Sequence, residues 1–144
     1  MRNSILALAA VVLAVPSAAR AGGPPCDVRL LEGDYGLQIA GTRVLAPGAP
    51  AEQVIGVGTA RFDGSGGYSL QGTTHGSISG VAADTPGTGT YSVNPDCTGE
   101  VVFQNANQPF PLRVAIAIVD RGDEIKGITV APLSVMVSAT WTRK

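Results

Sequence analysis

Gly67-Tyr68-Ser69-Leu70-Gln71-Gly72-Thr73-Thr74-His75 decides the fold class. Tyr68 and Leu70 alternate with Ser69, Gln71, Thr73 and His75, the two-residue period of a strand with one buried face. The alternation recurs at Tyr35, Leu37 and Ile39, at Tyr91 and Val93 against Thr90 and Ser92, and at Val135 and Val137 against Ser134 and Ser138. β-Branched and aromatic residues crowd these runs, and no stretch after residue 21 shows a helical repeat with helix formers and caps. Between the runs stand turn signals: Asp63-Gly64-Ser65-Gly66, Asn94-Pro95-Asp96, Asn105-Ala106-Asn107 and Asp120-Arg121-Gly122-Asp123. Strands are expected near 34–44, 53–62, 67–75, 77–83, 88–94, 99–105, 110–119, 124–131 and 134–142. Eight or nine strands joined by short links predict an all-β chain, a single antiparallel up-and-down barrel. A sandwich would need long crossovers, and closure removes exposed edges.

The start of the chain carries the pattern of an export signal. Met1-Arg2 is a positive start, Ile5–Val15 an uncharged apolar run, and Ala19-Arg20-Ala21 the small-x-small pattern of signal peptidase. Residues 1–21 are therefore expected to be a signal peptide and residues 22–144 one barrel domain, secreted or periplasmic. Without the leader, eight basic residues face eleven acidic ones, too few and too scattered to displace counterions from nucleic acid. The apolar run of the leader is too short for a membrane span. Cys26 and Cys97 are the two cysteines, which in an exported chain most simply form one disulfide. Closing a loop of about 72 residues would stabilise the fold by roughly 4 kcal/mol. Free thiols and metal ligation are the alternatives, and a single His with no paired Cys spacing argues against zinc.

If each strand keeps its pleat, one face collects the large side chains, among them Tyr35, Phe62, Tyr68, Tyr91, Phe103, Phe110 and Trp141. The same face receives Gly56, Gly58 and Gly72, so either part of the interior is hollow or large residues opposite fill it. A hollow interior would hold a small apolar ligand, with Tyr35, Tyr68, Tyr91, Phe103 and Trp141 as its lining. The three tyrosines either orient a ligand's polar end or close the barrel ends with their hydroxyls in water. Strand 110–119 also carries Ala115, Ala117 and Val119 on its second face, and Ile128 and Val130 follow. That face is either an ordinary outer surface or covered by an outside ligand, a partner or a second copy in a homo-oligomer.

No residue pattern for catalysis, a cofactor or a metal stands out. His75, the sole imidazole, points outward by alternation. Asp63, Asp96, Asp120, Asp123 and Glu124 fall mostly in turns, and Glu100 on the outer face beside Gln104. Asp63-Gly64-Ser65-Gly66-Gly67 has too few acids for calcium and lacks the Lys and helix of a phosphate loop. Arg121-Gly122-Asp123 matches an adhesion tripeptide, a match short enough to arise by chance. Arg113 and Lys126 read as the strand cations near apolar neighbours.

At Glu32-Gly33-Asp34-Tyr35-Gly36-Leu37, at Gly58–Gly66, and above all at Gly89-Thr90-Tyr91-Ser92-Val93-Asn94-Pro95-Asp96-Cys97-Thr98-Gly99, the chain resembles small secreted microbial β-barrel proteins of unassigned function. Such chains look like calycin-type barrels, the architecture of lipocalins and allene oxide cyclases. The resemblance implies a small eight-stranded barrel, oligomeric if it follows the cyclases. It implies no activity: no cyclase motif maps here, and the lone Trp141 lies far from any lipocalin Gly-x-Trp position. Three functions follow as expectations: a barrel binding a small apolar ligand, a structural or interaction module, and, behind both, a cyclase-like isomerase.

Overall fold

The computed structural model describes residues 23–106 and 108–144, so the expected signal peptide lies outside the described residues. Eight strands follow one another as β1 (Gly33–Arg43), β2 (Glu52–Phe62), β3 (Gly67–Gly76), β4 (Gly80–Val93), β5 (Thr98–Asn105), β6 (Leu112–Val119), β7 (Glu124–Ala131) and β8 (Val135–Arg143). Each pairs antiparallel with the next, and β8 returns to β1 from Tyr35 opposite Arg143 to Arg43 opposite Val135. The result is the closed up-and-down barrel that the alternation predicts.

Eight strands form rather than nine, because 77–83 and 88–94 belong to one continuous strand. The gap left between them, Asp84-Thr85-Pro86-Gly87, is absorbed as an irregularity inside β4. Asp84 takes a positive φ of 48° and its N–H is satisfied by Thr73 Oγ1, while the register slips between Gly72 and Thr74. The seventh expected strand starts at Leu112, which leaves Phe110 on the preceding loop, 40% exposed, and off the inner face.

The two ends of the barrel differ. One end gathers the starts of the odd strands and the ends of the even ones, together with the 3-10 turns Val28–Leu31 and Asp120–Gly122. There Phe62 sits among Tyr35, Tyr68 and Tyr91 with ring centroids 4.9–5.2 Å apart, and the Trp141 ring lies at 6.5 Å. Leu31, Val101 and Ile125 are buried around them. The N-terminal segment crosses this end as a lid: Tyr91 OH donates to Val28 O (2.8 Å), and Arg143 Nη1 and Nη2 donate to Glu32 O and Leu30 O (2.6 and 2.8 Å). The turns here are polar. Asp63 Oδ1 accepts from Ser65 N and Gly67 N, 2.8 Å each, between glycines whose φ values of 79° and 108° need no side chain.

Cys26 and Cys97 are disulfide-bonded with their Cα atoms 5.1 Å apart, and Cys26 N also donates to Pro95 O. The bond pins the lid to the β4–β5 turn. Replacing Cys97 with Ser should lower the free energy of unfolding by about 4 kcal/mol, read from urea denaturation of both proteins under oxidising conditions. Equal midpoints would show that the bond carries no stability.

Candidate functional site

Among the described residues no segment crosses the opposite end as a lid. A cavity of about 310 Å³ runs inward from that end. Its floor is Tyr68, Phe103, Val114 and Trp141; Leu37, Ile39, Leu70 and Val137 form the walls, and Leu45 and Phe110 stand at the mouth. Space remains because β2 and β3 present Gly56 and Gly72 to the interior at this level, opposite the larger residues of β1 and β8. Gly58 and Gly72 face each other across the β2–β3 ladder so closely that a Cβ on Gly58 would lie 2.8 Å from Gly72 Cα.

Of the five aromatics expected to line a ligand space, Tyr68, Phe103 and Trp141 border the cavity. Tyr35 and Tyr91 lie instead in the sealed end, where they close the barrel. Their hydroxyls donate to the backbone carbonyls of Gly122 (2.7 Å) and Val28 (2.8 Å) rather than to water. Tyr68 OH accepts from Trp141 Nε1 at 3.1 Å, and burial pushes its phenol well above the usual range, so the cavity floor is a neutral apolar surface.

Sequence reading missed the polar side of the mouth. Arg43, the last residue of β1, stands opposite Glu52, the first of β2, and its Nε donates to Glu52 Oε1 at 2.6 Å. Glu52 is 1% exposed yet fully served: Oε1 also accepts from Ser79 Oγ (3.0 Å), and Oε2 from the N–H groups of Ile78 (3.0 Å) and Ser79 (2.9 Å). Arg43 Nη2 donates to Ser79 Oγ at 3.1 Å, so the cluster ties the β1–β2 loop to the β3–β4 turn. The Ser79 N–H and the Arg43 guanidinium hold the Glu52 carboxyl down at about 2. Asn105 and Gln108 border the cavity too, with carboxamide oxygens that are buried and unbonded among the described residues.

The remaining polar residues take surface or turn roles. His75 is exposed. Arg113 pairs with Glu100 at 2.7 Å and Lys126 with Glu124 at 3.0 Å on the outer wall, so neither cation enters the interior. Gly122 of the Arg121-Gly122-Asp123 turn is buried and Asp123 pairs with Arg143 at 3.1 Å, which gives the tripeptide a place in the seal. Among the described residues no three His, Cys, Asp or Glu side chains are grouped to hold a metal, and no helix is long and apolar enough to cross a membrane.

Each loop at the open end presents one large exposed apolar side chain: Leu45, Ile78, Phe110 and Leu133. On the outer wall, Ala115 is half-buried, Ala117 exposed, and Val119, Ile128 and Val130 are exposed. No protein-family model matches the chain, and no curated protein matches it.

Because the folded protein holds Glu52 ionised below its ordinary value of 4.5, the stabilisation is complete above that value and is lost as pH falls toward about 2. Glu52→Gln should lower the urea midpoint at about pH 6, and the gap to the wild type should narrow steadily toward about pH 2.5. A gap independent of pH would assign the loss to packing alone.

Proposed function

We propose that the chain is an exported binding barrel that holds one small apolar molecule in the open-end cavity. The observation that carries this reading is the unequal filling of the barrel: aromatic rings and a lid at one end, about 310 Å³ of apolar space at the other. That volume is about twice that of engineered cavities that admit a single benzene, and near the lower bound of small-molecule pockets. The lining is mostly aliphatic and aromatic, so displacement of water by an apolar body drives binding. Export is supported by the leader pattern of residues 1–21 and by the Cys26–Cys97 bond, which persists in oxidising compartments. The resemblance to calycin-type barrels fits the same reading.

A second reading, association of copies through the apolar outer surface, is favoured by Ile55, Val81, Ile128 and Met136, all exposed near the open end. Native mass spectrometry of the oxidised protein separates the two, since it reports subunit number and retained mass together. A bare oligomer would favour the second reading.

The sole tryptophan borders the cavity, so its emission reports occupancy. Decanol should shift and saturate Trp141 fluorescence, and Val137→Phe, which fills the cavity from β8, should weaken binding by about tenfold. Emission that does not respond to decanol or decane would count against a ligand-binding interior.

A further inference from the structure

The cavity wall is mostly apolar, with hydroxyl side chains and the Asn105 and Gln108 carboxamides among its polar members and Arg43 as its one charged residue, and the chemistry of that charge specifies the ligand's polar end. Among the described residues that line the cavity, Arg43 is the only one with an ionisable acid or base of opposite sign to an anion, and no Asp or Glu lines it. A guanidinium carries five N–H donors and no acceptor. The side edge of the fork is occupied: Nε donates to Glu52 and Nη2 to Ser79. The end edge, made of Nη1 and the second hydrogen of Nη2, has no partner among the described residues. Arg43 lines the cavity and keeps 19% of its side chain exposed, so a molecule entering the mouth can reach it. Glu52 stands behind it, outside the lining, with both oxygens occupied by four donors and no lone pair turned to the cavity.

We propose that the ligand is an amphiphilic monocarboxylate whose carboxylate binds the end edge of Arg43 while its apolar body fills the cavity down to Trp141. The inference rests on the binding reading above and specifies it. The size of the space suits a body on the order of ten non-hydrogen atoms, if each takes about the volume of a water. A planar fork meets a carboxylate with two parallel N–H···O bonds, and charge-assisted bonds of this kind exceed those to a neutral hydroxyl. Glu52 and Ser79 hold the fork in place before the ligand arrives, which spares the ordering of a long side chain on binding. The role of the buried carboxylate is thus to position Arg43.

The test is a set of Trp141 fluorescence titrations of the full oxidised protein with decanoate, decanol and decane, at about pH 8, where decanoate is ionised. Decanoate should bind about tenfold more tightly than decanol. Arg43→Gln should abolish that preference, so that the variant binds decanoate no more tightly than it binds decanol. If Arg43→Gln strands the Glu52 charge and fails to fold, the Arg43→Gln/Glu52→Gln double variant removes both charges together and should give the same result. Equal wild-type affinity for decanoate and decanol, or a preference that survives in the variants, overturns the assignment of Arg43 while the binding reading stands. Failure of all three probes to bind overturns that reading and this one with it.

Discussion

The ladder between β1 and β8 is the constraint on which everything else rests. Once Tyr35 through Arg43 pair with Arg143 through Val135, the sheet has no edge and its strand number sets its width. The interior of an eight-stranded barrel is then filled or hollow according to side-chain volume alone, level by level along the axis. Near the start of β1 that volume comes from Tyr35, Phe62, Tyr68, Tyr91 and Trp141, which touch and leave no room. Near its end it comes from Ile39, Val54 and Val137 beside glycines, and room remains. One closure event therefore creates both the core and the cavity.

The sealed end is held by polar groups as much as by rings. Arg143 alone reaches Leu30 O, Glu32 O, Gly122 O and Asp123, and its guanidinium lies 4.9 Å over the Tyr35 ring. The lid, the β6–β7 turn and the last strand are thereby joined at one side chain. Tyr35 and Tyr91 add hydroxyl bonds to the same backbone, and buried hydroxyls left without such partners would be costly. The disulfide adds a covalent tie on the opposite side of the lid, at the β4–β5 turn. The far end has the Arg43–Glu52–Ser79 cluster, which joins two loops without covering the mouth.

Strands were legible in the sequence wherever one face is buried, because the pleat writes a two-residue period into the chain. Tyr68-Ser69-Leu70-Gln71 is such a case. The break expected between 83 and 88 does not form, because the neighbouring strand accommodates a slipped register at Thr73 and keeps Asp84-Thr85-Pro86-Gly87 in the sheet. The pairing of Cys26 with Cys97 followed from there being no other thiol. The cavity was legible only as one of two alternatives, on the inward glycines Gly56 and Gly72; its place at one end was not, because which inward residues share a level depends on register around the whole barrel, and period alone does not carry register. Arg43 and Glu52 escaped for the same reason. One ends a strand and the other begins the next across a loop, and their opposite charges at the two ends of a hairpin were the signal that a known β1–β2 register would have made readable.

The four loops around the mouth end in Leu45, Ile78, Phe110 and Leu133, whereas the sealed end is built of Asp-Gly-Ser-Gly, Asn-Pro-Asp-Cys and Asp-Arg-Gly-Asp turns. The barrel thus has a greasy pole and a wet one, with its axis running between them. An apolar surface set against the mouth would cover these four side chains, whereas the same surface set against the lid would cover polar turns.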